Sequence, residues 1–394
     1  MKKIFIFGFV FLTHIGHAQE IDVDKVVRTS EAQVRLLLEE ARRQADPKRV
    51  SPRTLDGDGH LVLVPPSDWT SGFFAGVLWQ LYGFTGDRNW QDEARKATAT
   101  LAGEKYNGRT HDMGFKIYCS FGQGYRLTDD TAYRNVIVKA AQTLATRFNP
   151  VVGCIRSWDH NSHRWDFPVI IDNMLNLELL FAATRLTGDS SFYDIAVSHA
   201  NTTLINHFRP DGGSYHVVDY DPETGQVEHR NTHQGYSDSS TWARGQAWAL
   251  YGYTLCYRET NDERYRQKAV DIARWLMDHP HMPADGIPYW DFDAPNISAE
   301  PRDASAAAVI ASALYELSTL VAEGDAFRGF ADHIIHSLAT AYTAPAGTHH
   351  GFILLHSTGS RPADSEVDVP LIYADYYFLE ALGRKAGAAL HLSD

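Results

Sequence analysis

A short turn signature recurs along this chain and constrains its fold more than any other feature. Thr85-Gly86-Asp87, Thr128-Asp129-Asp130, Thr187-Gly188-Asp189 and Thr260-Asn261-Asp262 share one form, and Glu323-Gly324-Asp325 is a weaker fifth copy. An aromatic residue follows each copy two to four positions on. Then comes an amphipathic stretch, such as "DTAYRNVIVKAAQTLATRF" or "DERYRQKAVDIARWLMDH", with apolar residues at helical spacing and charges between them. The aspartate is expected to cap the helix that begins there, its carboxylate accepting from an otherwise unpaired N–H. Before each turn lies a different kind of helix. "WTSGFFAGVLWQLYGF", "MGFKIYCSFGQGYRL", "NMLNLELLFAATRL", "WARGQAWALYGYTLCYRE" and "DASAAAVIASALYELSTL" are rich in Gly, Ala and aromatics and carry few charges; "ADYYFLEALGRKAG" closes the series. A helix that is apolar all round is buried. Beginning with "SEAQVRLLLEEARRQ", the order is amphipathic then buried, six of each.

Six buried helices alternating with six covering ones predict an all-α chain folded as an (α/α)6 barrel, the inner helices forming the wall. An open helical solenoid or a two-domain bundle is the alternative. The long loops before the inner helices favour the barrel, because there they would line one rim, and long loops in a compact domain tend to be functional. One barrel domain is expected over residues 19–394. The stretch before it, "MKKIFIFGFVFLTHIGHAQE", reads as a signal peptide over residues 1–18: Lys2 and Lys3, a short apolar core, then small residues at the cleavage site. Export is expected, and the periplasm follows by inference from function. No later run reaches the roughly 18 apolar residues of a membrane span. The net charge of −13 argues against a nucleic-acid partner, which needs a basic footprint. The three cysteines allow at most one disulfide; Cys119 and Cys256 fall in helix-like apolar stretches and read as buried thiols, and no Cys or His spacing matches a zinc motif. Oligomeric state is not legible.

In a barrel the starts of the inner helices share one face. They bring Asp68 and Trp69, His111 and Asp112, Asp172, the run Trp242 to Trp248 with Arg244 inside it, and Asp303. An aspartate at a helix start is ordinarily a cap. Four at the same point of the repeat, with aromatic neighbours, are not all dismissed as caps. Two facing carboxylates raise each other's proton affinity, which keeps one protonated for acid catalysis. Trp242 and Trp248 lie on different faces of an ideal helix, so one can stack on a sugar while the other is core. Arg244, on a nearly uncharged helix, needs a carboxylate from the protein or from a ligand. His216 and His233-Gln234 lie on long connections, where a lone histidine is more often structural. With 12% aromatics the chain can line a sugar cleft.

Together "DWTSGFFAGVLWQLYGFTGD", "THDMGFKIYCSFG", "IIDNMLNLELLFAAT", "GSYHVVDY" and "HQGYSDSSTWARGQAWALYGY" resemble the unsaturated glucuronyl hydrolases, glycoside hydrolase family 88, and the similarity runs from about residue 60 to "VPLIYADYYFLEAL". The resemblance implies an (α/α)6 barrel. It also implies removal of a 4,5-unsaturated uronic acid from the non-reducing end of oligosaccharides left by polysaccharide lyases, with no metal or organic cofactor. The family's two aspartates fall on Asp112 and Asp172. Its substrate contacts fall on His111, His216, Gln234, Trp242, Arg244 and Trp248, with Trp69 at the cleft. Asp172 is implied to protonate C4 of the enol ether and then activate water for C5. Asp112 is implied to bind ring hydroxyls and keep Asp172 protonated. Members acting on sulfated disaccharides carry Ser-x-x-Ser-x-Lys near the C-terminus. Here Ser357 and Ser360 are followed by Arg361-Pro362, so the cation sits one place early. Rival readings are an unsaturated rhamnogalacturonyl hydrolase of the same barrel type, a barrel epimerase, which wants paired histidines, and an exported glycan-binding protein, which needs no carboxylate pair.

Overall fold

The computed structural model describes residues 21–44 and 46–387; the expected signal peptide, residues 1–18, lies outside the described residues. In chain order the elements are α1 (Val23–Arg43), β1 (Ser51–Leu55), β2 (Leu61–Val64), α2 (Ser71–Thr85), α3 (Arg88–Ala99), a π-helix (Gly114–Gly122) running into α4 (Gln123–Thr128), α5 (Thr131–Ala145), β3 (Phe148–Asn149), β4 (Cys154–Ile155), β5 (Pro168–Ile170), α6 (Asn173–Thr187), α7 (Ser190–Asn206), β6 (Val217–Tyr220), β7 (Val227–Asn231), α8 (Ala243–Thr260), α9 (Glu263–Asp278), α10 (Ala304–Leu320), α11 (Gly324–Ala341), β8 (Ser357–Ser360), β9 (Ser365–Val369) and α12 (Ile372–Lys385).

The turn signature does two jobs. Its threonine hydroxyl donates back to the preceding helix, Thr85 to the Leu81 carbonyl at 2.7 Å and Thr260 to that of Cys256 at 2.7 Å. Its middle residue turns left-handed and ends that helix, with φ +66° at Gly86, +52° at Asp129, +76° at Gly188 and +55° at Asn261. Only Gly, Asn and Asp take that conformation readily. Asp87, Asp130, Asp189 and Asp262 then cap the outer helices, each accepting from the N–H two residues on. The fifth copy departs from this. Asp325 lies inside the first turn of α11, and Glu323 at the cap position makes no capping bond, its carboxylate accepting from Arg274 instead.

The inner wall is α2, the π-helix with α4, α6, α8, α10 and α12; each packs on the next and α12 closes on α2, while outer helices pack on their inner neighbours. The expected all-α barrel is therefore the fold. Burial follows the sequence pattern: α8 is buried at every residue from Ala243 to Cys256, whereas α9 buries only one stripe. All three cysteines are free and buried. Among the described residues no helix is long and apolar enough to cross a membrane.

Periodicity did not disclose two features. The second inner helix is a π-helix, a form that concentrates at functional sites. Among the described residues the loops leading to the inner helices also carry four small antiparallel sheets, β1-β2, β3-β4, β5-β6-β7 and β8-β9. Toward the other end of the wall, buried charges cross-link the inner helices. Arg258 meets Glu178 at 2.6 Å, Glu259 at 2.9 Å and also Glu316; Arg384 meets Glu316 at 2.7 Å and Glu380 at 3.7 Å; Arg185 meets Glu259.

Candidate active site

The four rim aspartates separate into two kinds. Asp303 is a cap, accepting from the N–H groups of Ser305 and Ala306 at the start of α10, and it also pairs with Arg244 at 2.6 Å. Asp68 accepts from the Thr70 N–H at 2.9 Å and pairs with Arg53 at 2.8 Å. Asp172 holds the cap position of α6 but makes no capping bond. Asp112 caps nothing either, because the Asn176 side chain on α6 already accepts from the N–H groups of Gly114 and Phe115, at 2.8 and 3.1 Å. That contact needs Gly114, where a Cβ would come within 2.7 Å of the Asn176 backbone.

Asp112 and Asp172 are thus free to face a cleft of about 140 Å³, lined also by Trp69, His111, Phe115, Trp158, Gln234, Trp242, Arg244, Ser360 and Tyr373. Thr110 donates to Asp112 Oδ2 at 2.7 Å, and His111 Nε2 lies 3.3 Å from its Oδ1. Asp172 follows β5, and the antiparallel pairing of β5 with β6 places His216 beside it: the Ile171 N–H bonds the His216 carbonyl at 3.0 Å. His216 Nδ1 accepts from the backbone N–H groups of His233 and Gln234, at 3.1 and 3.2 Å. Burial holds its pKa well below the usual value, so the ring is neutral and its proton sits on Nε2. That N–H lies 3.7 Å from Asp172 Oδ2, and neither atom has a hydrogen-bond partner in the protein. The Asp172 carboxyl is pushed up to about 7 by burial; Arg244 pulls it down, the charge on Asp112 pushes it up, and a hydrogen bond from Trp248 lowers it. Burial therefore leads and Asp112 assists.

Arg244 is fully buried and engaged within the protein. It bonds Asp303 and the carbonyls of Thr358 and Gly359, both at 2.5 Å, and lies 4.6 Å from the Trp242 ring centroid. Trp242 lines the cleft, 4.6 Å from the His216 ring, whereas Trp248 sits deeper, packed on Phe115 and Tyr377. Gln234 donates to the Gly359 carbonyl at 3.0 Å. Of the C-terminal motif, Ser360 lines the cleft. Ser357 is buried beneath it with an unpartnered hydroxyl, and Arg361 is exposed, pairs with Asp364 at 3.3 Å and does not line the cleft.

Sequence reasoning missed Arg53, Glu366, Trp158, Phe115 and Tyr373, although Phe115 and Tyr373 stand in quoted segments. The Tyr373 hydroxyl is buried and unpartnered. Arg53 and Glu366 carry no local signal, since they meet only through folding. Among the described residues two groups could offer ligands to a metal, Asp56-Asp58-His60 and Asp219-Glu228-His229; none of these residues lines the cleft.

The chain matches Glycosyl Hydrolase Family 88 over residues 58–324 and belongs to that family. It is 51% identical over 329 residues to an unsaturated glucuronyl hydrolase of Formosa agariphila, covering 83% of this chain and 82% of that one. It is 33% identical over 370 residues to the unsaturated chondroitin disaccharide hydrolase of Streptococcus pneumoniae, covering 92% and 90%. Its fold matches the crystal structure of an unsaturated glucuronyl hydrolase specific for heparin, with a TM-score of 0.88 at 48% identity, over 92% of this chain and 97% of that one. The resemblance read from the sequence is borne out.

Proposed function

We propose that the protein removes a 4,5-unsaturated uronic acid from the non-reducing end of glycosaminoglycan-type oligosaccharides by hydrating the C4=C5 enol ether. It is a glycoside hydrolase of the unsaturated glucuronyl type. The observation that carries the mechanism is Asp172: a buried carboxyl pushed up to about 7, with an unpartnered oxygen facing the Nε2–H of a neutral histidine. Protonated, Asp172 delivers its proton to C4, and positive charge develops at C5 and O5. As a carboxylate it then takes a proton from the water that attacks C5, while His216 orients that water from the other side. The resulting hemiketal opens and releases the aglycone without attack at C1. Asp112, held by Thr110, binds the sugar ring and its charge helps keep Asp172 protonated. Arg244 is a positioning residue. Its charge is spent on Asp303, and its two carbonyl contacts fix the β8-β9 hairpin over the cleft.

Incubation with unsaturated chondroitin, hyaluronan, heparin and ulvan disaccharides tests the reading. The absorbance of the conjugated double bond is expected to fall, and in heavy water deuterium is expected at C4. No loss with any of the four overturns it; turnover confined to pectin-derived disaccharides transfers the protein to the rhamnogalacturonyl type. Lys2, Lys3 and the apolar run after them support export, which N-terminal sequencing of the mature protein checks by a start near Gln19.

A further inference from the structure

The sugar cleft does not stand alone. A second groove, about 610 Å³, runs between the β1-β2 and β8-β9 hairpins, and it shares three lining residues with the cleft: Arg53, Ser365 and Glu366. Between the two spaces Arg53 Nε and Nη2 donate to the two Glu366 carboxylate oxygens, at 2.6 and 2.8 Å. We propose that the Arg53–Glu366 pair is a chain-length gate: paired, it closes the reducing side of the cleft; parted, it joins the cleft to the outer groove, which takes the next sugars of a longer oligosaccharide. This rests on the hydrolase reading above.

Three observations favour a gate over a plain strut. Glu366 is held in the left-handed region at φ +55°, with Asp364 at +48° and Asp368 at +57° beside it. Such backbone is strained for residues other than glycine and persists where surrounding contacts enforce it. The Glu366 side chain lies directly over Gly359, where a Cβ would come within 2.5 Å of its carboxylate, so its closed position is fitted against the residue that anchors Gln234 and Arg244. Both partners also sit on hairpins, not on the barrel wall, so parting them leaves the wall intact. Among the described residues that line the outer groove, Asp56, Asp364 and Glu366 stand with one cation, Arg53, beside the apolar Val62 and Val64, and Asp364 also pairs with Arg361. A uronate or sulfate on an extending sugar meets that acidic lining, which adds to selection for the shortest chain.

The test takes an unsulfated disaccharide of hyaluronan, chondroitin or heparin that the wild type hydrolyses, and the tetrasaccharide of the same polymer. Failure on every disaccharide is failure of the hydrolase reading, and the gate falls with it. With disaccharide turnover in hand, Glu366→Gln is expected to raise the tetrasaccharide-to-disaccharide ratio of kcat/KM about fivefold, the scale set by losing one partly buried ion pair. Val62→Trp on that background fills the outer groove and is expected to restore the wild-type ratio. A Glu366→Gln protein that hydrolyses the disaccharide with an unchanged ratio overturns the gate. Should Glu366→Gln not fold, Val62→Trp alone decides: it is expected to slow only the tetrasaccharide, and equal effects on both chains, or none, overturn the proposal.

Discussion

The two ends of the inner wall both bury ion pairs, but among the described residues only the mouth, beside its Arg244–Asp303 bridge, also keeps a cluster of unpaired polar groups around one cleft. Toward the C-terminal ends of α8, α10 and α12, Arg258 and Arg384 are surrounded by Glu178, Glu259, Glu316 and Glu380, so each carboxylate has a cation beside it within the protein. At the N-terminal ends, Asp172 Oδ2, His216 Nε2 and the Tyr373 hydroxyl are buried without a protein partner. A buried polar group left unpaired costs stability, so a fold that keeps three together reserves them for something else. One end holds the barrel together; the other is built to be completed by substrate.

The largest effect expected from breaking this contrast is at the mouth. Asp172→Asn removes the acid while keeping its shape, and kcat is expected to fall about 10²–10⁴-fold with little change in KM, measured by the absorbance assay. At the other end, Arg258→Ala leaves the largely buried Glu178 without its cation, and Glu259 and Glu316 to Arg185 and Arg384. It is expected to cost about 3–5 kcal/mol in denaturant unfolding, while the rate per folded molecule stays within about twofold. An equal fall in kcat there would dissolve the distinction between the two ends.

Two smaller effects sharpen it. Activity requires protonated Asp172, so it is expected to decline as pH rises through about 7. The folded-state pKa is raised, so the same group also contributes stability that is present at acid pH and is lost as pH climbs from about 4 toward 7. Asp112→Asn removes a charge that favours the protonated form. The alkaline limb is therefore expected to move to lower pH, and KM to rise; a limb that moves upward contradicts the assigned roles. The smallest effect is expected at Arg361→Ala. With its side chain outside the cleft and paired to Asp364, kcat/KM on sulfated and unsulfated disaccharides is expected to change by less than about twofold.

Much of the fold was legible because its signals are local. The period of apolar residues marks which helices are buried. The Thr–Gly–Asp turn states where one helix ends and the next begins, through hydrogen bonds spanning two to four residues. The π-helix was not legible: its apolar pattern reads as an ordinary buried helix, and the packing of Gly72 against the Phe115 and Lys116 carbonyls emerges only in the fold. The site was legible as a set of candidates on one rim, with the C-terminal motif the exception. Its serines divide between cleft and core, and its arginine turns away.

Sequence by itself thus determined twelve helices, their alternation and the rim they share, since burial period and helix caps depend on near neighbours. Tertiary structure alone decided which rim aspartates are caps and which are free. Asn176, sixty-two residues on from the Gly114 N–H it accepts from, relieves Asp112 of capping, and Asp172 owes its raised pKa to walls supplied by distant helices. It also set Arg53 against Glu366, 313 residues apart. Desolvation and charge pairing are properties of what surrounds a group in space, and no window along the chain contains them.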